Sequence, residues 1–292
     1  MFLSLVGTLI IMIIETFSGF FDLLEYSFYR RAIITGFLAS VVFGIVGTYV
    51  VIKRIVFISD GIAHASFGGI GLAFFLSHYL IFSIDPLFGA AIFALISAIG
   101  IGLMSKKKIQ REDTAIGIIW VLGMALGALF FSLTPGYLTS MENVLFGNIY
   151  MISNRDIYML LFLVIGVIAS VFLFYHKLQA VSFDEEFAEV AGVKTTAFYL
   201  FLLVVVALSI VFLLRFVGII LVIALFTMPA SIASGFSHDI KKIMFYSWIL
   251  SLIFVIGGLF LSYVFDFPSG PTITLFGGTI FIIYTLGRWV RE

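Results

Sequence analysis

Asp60 and His64 stand four residues apart in the segment Ile58-Ser-Asp-Gly-Ile-Ala-His-Ala-Ser-Phe-Gly-Gly. On a helix that spacing projects both side chains from one face. A carboxylate beside an imidazole suits borderline divalent cations such as Mn²⁺, Fe²⁺ and Zn²⁺. Two ligands are too few for a site, but a two-fold pair of chains with this face on its axis would supply four. A plainer reading stands beside it, with Asp60 as a helix N-cap and His64 satisfied by a neighbouring helix. Ionisable residues inside a membrane are functional candidates by default, which keeps the ligand reading in play.

A second group lies in Ser182-Phe-Asp-Glu-Glu-Phe-Ala-Glu-Val-Ala-Gly192. Asp184, Glu185, Glu186 and Glu189 gather at the start of a short helix, where the positive end of the macrodipole favours them. Gly192 can supply a left-handed C-cap. Phe183, Phe187, Val190 and Ala191 recur at helical spacing as an apolar stripe. Such a helix, with Phe183, Asp184, Glu185, Glu186, Ala191 and Gly192 as its contact set, suits docking into a groove of another protein. The alternative is a helix lying on the membrane surface, but its acidic face would be repelled by anionic lipid.

Other chemistry is sparse. There is no Gly-x-x-x-x-Gly-Lys-Ser/Thr loop to cradle nucleotide phosphates, and no His-Glu-x-x-His or nucleophile constellation. The chain is therefore expected not to be an enzyme. With no cysteine, disulfides and thiolate metal sites are excluded. His78 is expected near the outer end of the second span, as a surface histidine or as part of an entry route. His176 and His238 border inner loops and are expected to be solvated. Glu142, beside Asn143 and Asn148, lies in an outer segment, Thr134–Asp156, that re-enters the membrane or covers the outer surface.

The elements that position these residues are transmembrane helices. The 292 residues are 62% hydrophobic and 11% charged, against about a quarter charged in soluble domains. Apolar blocks of roughly twenty residues recur, each able to cross a ~30 Å hydrocarbon core. They fall near Ala32–Ile52, Asp60–Phe82, Leu87–Met104, Thr114–Ser132, Ile157–Tyr175, Ala197–Leu214, Phe216–Ser234, Ile243–Val264 and Thr272–Gly287. The fold class is all-α, a polytopic bundle of about eight to ten spans forming one membrane domain over 1–292. From Phe198 to Ala233 only Arg215 interrupts the apolar run, too long for one crossing. Two helices, or one and a broken one, are expected there, with Pro229 interrupting the second.

Assigning alternate loops to the inside places Lys53, Arg54, Lys106, Lys107, Lys108, Arg111, Lys177, Lys194, Lys241, Lys242, Arg288 and Arg291 there. Arg30, Arg31, Arg155 and Arg215 stay outside, a clear positive-inside bias that makes the C-terminus cytoplasmic. Lys plus Arg (16) balance Asp plus Glu (16), so net charge gives no reason to expect a nucleic-acid partner. Met1–Ile14 lacks the basic n-region of a cleavable signal. Phe20–Tyr29 reads as an amphipathic helix at the interface, which sets residues 1–31 apart as an extra hydrophobic and amphipathic segment.

Several stretches in order resemble the zinc/manganese/iron permease family of bacterial ABC importers. They are Arg30-Arg-Ala-Ile-Ile-Thr-Gly, Val51-Ile-Lys-Arg, Ser59-Asp-Gly-Ile-Ala-His-Ala, Asp113-Thr-Ala-Ile-Gly, Leu145-Phe-Gly-Asn, Ser182-Phe-Asp-Glu-Glu-Phe-Ala and Gly218-Ile-Ile-Leu-Val-Ile-Ala-Leu-Phe-Thr-Met-Pro-Ala. The resemblance implies a homodimeric permease in the bacterial cytoplasmic membrane, working with two cytoplasmic ATPase subunits and an extracellular metal-binding protein. It further implies a divalent metal as cargo rather than a resident cofactor. Asp60 and His64 match residues implicated in metal passage, and 182–192 matches the loop that contacts the ATPase. The hydrophobic stretch ahead of Arg30 departs from the family pattern. An ion-coupled secondary metal transporter is the other function class. It would use Asp60 and His64 but has little need of a docking helix, and the chain shows no internal repeat.

Overall fold

A computed structural model describes residues 22–79, 83–107, 111–135, 145, 147 and 149–290. Among these residues there are nine α-helices and no strand. They are α1 (Ser27–Ile52), α2 (Val56–Tyr79), α3 (Pro86–Lys106), α4 (Glu112–Ser132), α5 (Asn154–Phe183), α6 (Glu185–Val190), α7 (Thr195–Ser234), α8 (Ile240–Phe265) and α9 (Ser269–Trp289). All except α6 are long and apolar enough to cross a bilayer.

Local chemistry sets where the helices begin. Asp85 caps α3 by accepting the Leu87 N–H at 3.0 Å, with Pro86 in the first turn, where its missing N–H is no loss. At α5, Ser153 and Asp156 form a reciprocal capping box. Asp184 and Asp239 cap α6 and α8 through the N–H groups of Phe187 and Lys241.

The 40-residue α7 crosses the bundle and returns. Its first arm starts near the inner lysines, with Lys53 and Lys106 over the Tyr199 ring. It rises to Arg215, which faces Asp85 and Asp156 at the opposite end. By Gly235 the chain abuts Tyr284 and Arg288, back among the inner ends. The reversal is at Gly218, whose φ of +76° and ψ of 167° lie in a region open essentially to glycine. The break therefore falls eleven residues before Pro229, which sits inside the second arm with helical backbone on both sides. Gly218 can abandon helical dihedrals without steric cost, whereas Pro229 only forgoes one hydrogen bond.

This hairpin is the spine of the molecule. On one flank α2 packs between α3 and α4; on the other α1 packs against α8 and α5; both α1 and α3 lean on α7. The fully buried Phe43, Phe67, Leu203, Ile210 and Phe226 join these layers into one core.

Two sequence expectations are corrected here. Residues 22–26 make a 3-10 turn at Leu23–Glu25 rather than an amphipathic interfacial helix, and α1 already begins at Ser27. Tyr29 is buried and stacks on Tyr150 at 6.0 Å, whereas Tyr26 and Phe28 beside it are exposed. Residues 1–21 lie outside those described, as do Glu142, Lys108 and Arg291. Asp60, second, is no N-cap. It lies in the second turn of α2, which starts at Val56.

Candidate functional site

His64 Nε2 lies 3.3 Å from Asp60 Oδ1, and both side chains are largely enclosed, 16% and 17% exposed. The other imidazole nitrogen, Nδ1, is 3.3 Å from the thioether sulfur of Met124. The ring stacks on Trp120 with centroids 4.7 Å apart. When Nε2 carries the proton and donates to Asp60, the Nδ1 lone pair is the nitrogen ready for a cation. Carboxylate oxygen, imidazole nitrogen and thioether sulfur thus converge on one stretch of the α2–α4 seam. No cluster of three or more His, Cys, Asp or Glu groups able to hold a metal occurs among the described residues.

Glycines bring these partners together. A Cβ on Gly68 would stand 2.7 Å from the Gly123 carbonyl oxygen, and one on Gly71 would stand 2.9 Å from that of Gly127. Backbones this close let α4 present Trp120 and Met124 directly to His64, as small residues do between membrane helices. Toward the lysine-rich end of the bundle a cleft of about 480 Å³ opens between Arg54 and Phe57 on one side and Glu112, Asp113 and Trp120 on the other. Trp120 belongs to both the cleft and the His64 stack, so the cleft leads up to the histidine.

The segment 182–192 divides between two helices. Phe183 ends α5, while α6 covers only Glu185–Val190. Asp184 is the cap, and Gly192 takes φ +81°, the left-handed conformation expected after a helix end. Phe183, Phe187, Glu186 and Ala191 are exposed, and Val190 is 88% exposed. Glu185 faces the other way. Its carboxylate pairs with Lys53 Nζ at 2.7 Å and with Lys106 Nζ, tying α6 to the inner ends of α1 and α3. Lys53 also donates to the Val181 carbonyl oxygen at 2.7 Å. Burial pushes the Glu185 carboxyl up, but the hydrogen bonds and charges of Lys106 and Lys53 outweigh it and hold the group below the ordinary glutamate value.

At the outer end Arg215 lies 3.4 Å from Asp156 Oδ1 and 3.8 Å from Asp85 Oδ2, fastening the turn of α7 to the starts of α5 and α3. His78 is exposed in the last turn of α2, edge-on to Tyr79, and His238 is exposed ahead of α8. His176 is exposed on α5. Sequence reasoning missed Trp120, Met124 and the lysine tether of Glu185. Trp120 and Met124 are themselves four apart, so the pattern that marked Asp60 and His64 marks them too.

Comparison with known proteins agrees with this architecture. The family model described as the ABC 3 transport family matches residues 25–288. The chain is 38% identical to an uncharacterized membrane protein of Synechocystis sp., covering 89% of this chain and 90% of that one. It is 31% identical to the manganese transport system membrane protein MntC of Listeria monocytogenes, covering 89% and 91%. Among solved structures, PsaBC from Streptococcus pneumoniae in complex with Fab superposes with a TM-score of 0.81 at 29% identity, covering 92% of this chain and 95% of that chain. With eight membrane-crossing helices and a match along nearly its whole length, this chain is a multi-pass cell-membrane protein that belongs to the ABC 3 transport family.

Proposed function

We propose that this chain is the permease of an ATP-driven importer for a divalent transition metal, in which Asp60 and His64 contact the cargo. The observation that carries the reading is the Asp60–His64 pair in the second and third turns of α2, with the Met124 sulfur against the free imidazole nitrogen. The manganese transport relative and the PsaBC likeness support a metal as cargo. A carboxylate, an imidazole and a thioether suit Mn²⁺, Fe²⁺ or Zn²⁺ better than Mg²⁺ or Ca²⁺.

A second copy completes the route. The two side chains are enclosed but not fully buried, and a carboxylate turned to lipid is costly. Two copies apposed along the α2–α4 face would cover both pairs and supply ligands from each side. The cargo leaves through the cleft beside Trp120, past Glu112 and Asp113. A site of two Asp–His pairs is weaker than a closed cage, as release requires, so selectivity rests with an extracellular metal-binding protein. ATP hydrolysis belongs to separate cytoplasmic subunits, which dock on the exposed Phe183, Asp184, Glu186, Phe187, Ala191 and Gly192, while Glu185 holds that surface in place.

The test is Asp60→Asn in vesicles reconstituted with the partner ATPase. The variant keeps shape and removes charge, and α2 needs no cap there. It is expected to assemble, and to leave metal uptake at background. His64→Ala should do the same. Metal ligation needs neutral imidazole and ionised carboxylate, so wild-type uptake falls on acidification. Normal transport by Asp60→Asn would remove the metal role.

A further inference from the structure

On the flank away from Asp60 and His64, a groove of about 570 Å³ runs between α1, α5 and α8. Its wall is apolar, with Ile45, Ile168, Phe172 and Phe245, and its inner end is basic, with His176 and Lys241. Phe172 is 84% exposed, so the groove is open along its length to the surrounding hydrocarbon. Beside it α5 is bent at Phe174, where φ −112° and ψ 15° depart from the helix.

The charges at the inner end are placed for an anion. Lys241 Nζ stands 5.0 Å over the Tyr175 ring, which lines the same groove. Among the described residues no carboxylate pairs with it. The nearby Asp239 is turned to the backbone of α8, accepting the Lys241 N–H at 2.9 Å. Lys177 is directed elsewhere, over the Phe198 ring at 5.2 Å. This end lies on the lysine-rich face, where the cytoplasmic leaflet carries its anionic headgroups.

We propose that the groove is a binding site for an anionic phospholipid of the inner leaflet. One acyl chain lies against Ile45, Ile168 and Phe172, and the headgroup phosphate is held by Lys241 and His176. Basic pockets between transmembrane helices on the cytoplasmic side hold such headgroups through the same chemistry. Apolar lipid alone would fill the wall but leave Lys241 without its counter-charge. A second copy of the chain is the other conceivable occupant. The α2–α4 seam proposed for that copy is on the opposite flank of α7.

The experiment is native mass spectrometry of the purified permease with phosphatidylglycerol or phosphatidylcholine, paired with thermal unfolding in each lipid. Wild type is expected to retain phosphatidylglycerol preferentially and to be stabilised by it. Lys241→Glu should weaken that binding about tenfold, while Lys107→Glu, the same charge change on the same face away from the groove, should not. Val171→Trp, which fills the groove and leaves the charges in place, should also abolish retention. Equal loss in Lys241→Glu and Lys107→Glu would mean diffuse surface charge and overturn the site. So would equal retention of the two lipids, or unchanged binding in Val171→Trp. If Val171→Trp instead separates associated copies, the groove is a seam between chains and the lipid assignment falls.

Discussion

The chain ties its two ends with ionic clusters of opposite make-up. At the lysine-rich end one carboxylate, Glu185, takes two lysines; at the opposite end one guanidinium, Arg215, lies between two carboxylates. Their surroundings differ as much. The helix that Glu185 fastens, α6, buries only Ala188, so charge rather than apolar area holds it. Asp156 is 5% exposed on a side chain wedged among three helix ends. The inner cluster is a joint, its Lys53, Lys106 and Glu185 side chains 16%, 18% and 29% exposed, and because it fastens one short helix its loss is local rather than global. The outer one is a rivet: Arg215 and Asp85 are 43% and 32% exposed, but Asp156 is desolvated, so losing the arginine leaves it a buried unpaired charge.

Breaking the inner joint should damage function most. Glu185→Lys sets three cations together and should lower metal uptake about 10- to 100-fold, with the unfolding temperature nearly unchanged and the ATPase still bound. A matching fall in stability would erase the contrast. For the outer rivet the order reverses. Arg215→Met should lower stability by about 2–4 kcal/mol, measured by thermal unfolding in detergent, and adding Asp156→Asn should recover part of it. No recovery would mean that the arginine acts through packing alone. Next in size, Gly218→Ala should cost about 1–3 kcal/mol, because the turn requires a dihedral region closed to alanine. A neutral result would show that the turn can be built otherwise.

The smallest effect sharpens the comparison by pH. Because the Glu185 carboxyl lies below its ordinary value, the joint contributes fully above the unfolded-state value and is lost only as pH falls through the lower folded one. Amide exchange in α6, corrected for its intrinsic pH dependence, should therefore show equal protection at pH 7 and pH 5. In Glu185→Gln protection should be weaker at both. Opening of wild-type α6 at pH 5 would contradict the depressed value.

Much of this architecture is legible in the chain itself. Apolar blocks of membrane length located the crossings among the described residues, because hydrocarbon thickness leaves little freedom in helix length. The i, i+4 spacing found Asp60 and His64, since it is a property of one helix. Met124 was not found, because its proximity depends on which helix packs where, and that turns on Gly68 and Gly123 meeting backbone to backbone. Two arms meeting at Arg215 were expected in α7, with a further interruption at Pro229 because proline interrupts helices in water. Between packed membrane helices a lost hydrogen bond is tolerated, and the dihedral freedom of Gly218 decided instead. The acidic run 184–189 announced a capped helix, but not that Glu185 alone would turn toward Lys53 and Lys106. Composition has no term for which side of a two-turn helix meets its neighbours.

The single-residue reversal at Gly218 gives the chain a mechanical advantage. The first arm of α7, from Thr195 to Arg215, is a rod of about 30 Å whose lower end follows α6 after a short link. Pivoted near its base, such a rod amplifies rotation into displacement. A tilt of about 5° carries its tip sideways by about 2.5 Å, comparable with the 3.4 Å separating Arg215 from Asp156. A small rocking at the lysine-rich end would thereby displace Arg215 from Asp156 at the opposite end by a distance comparable with their contact. No relay of intervening side chains is needed, only the stiffness of one helix.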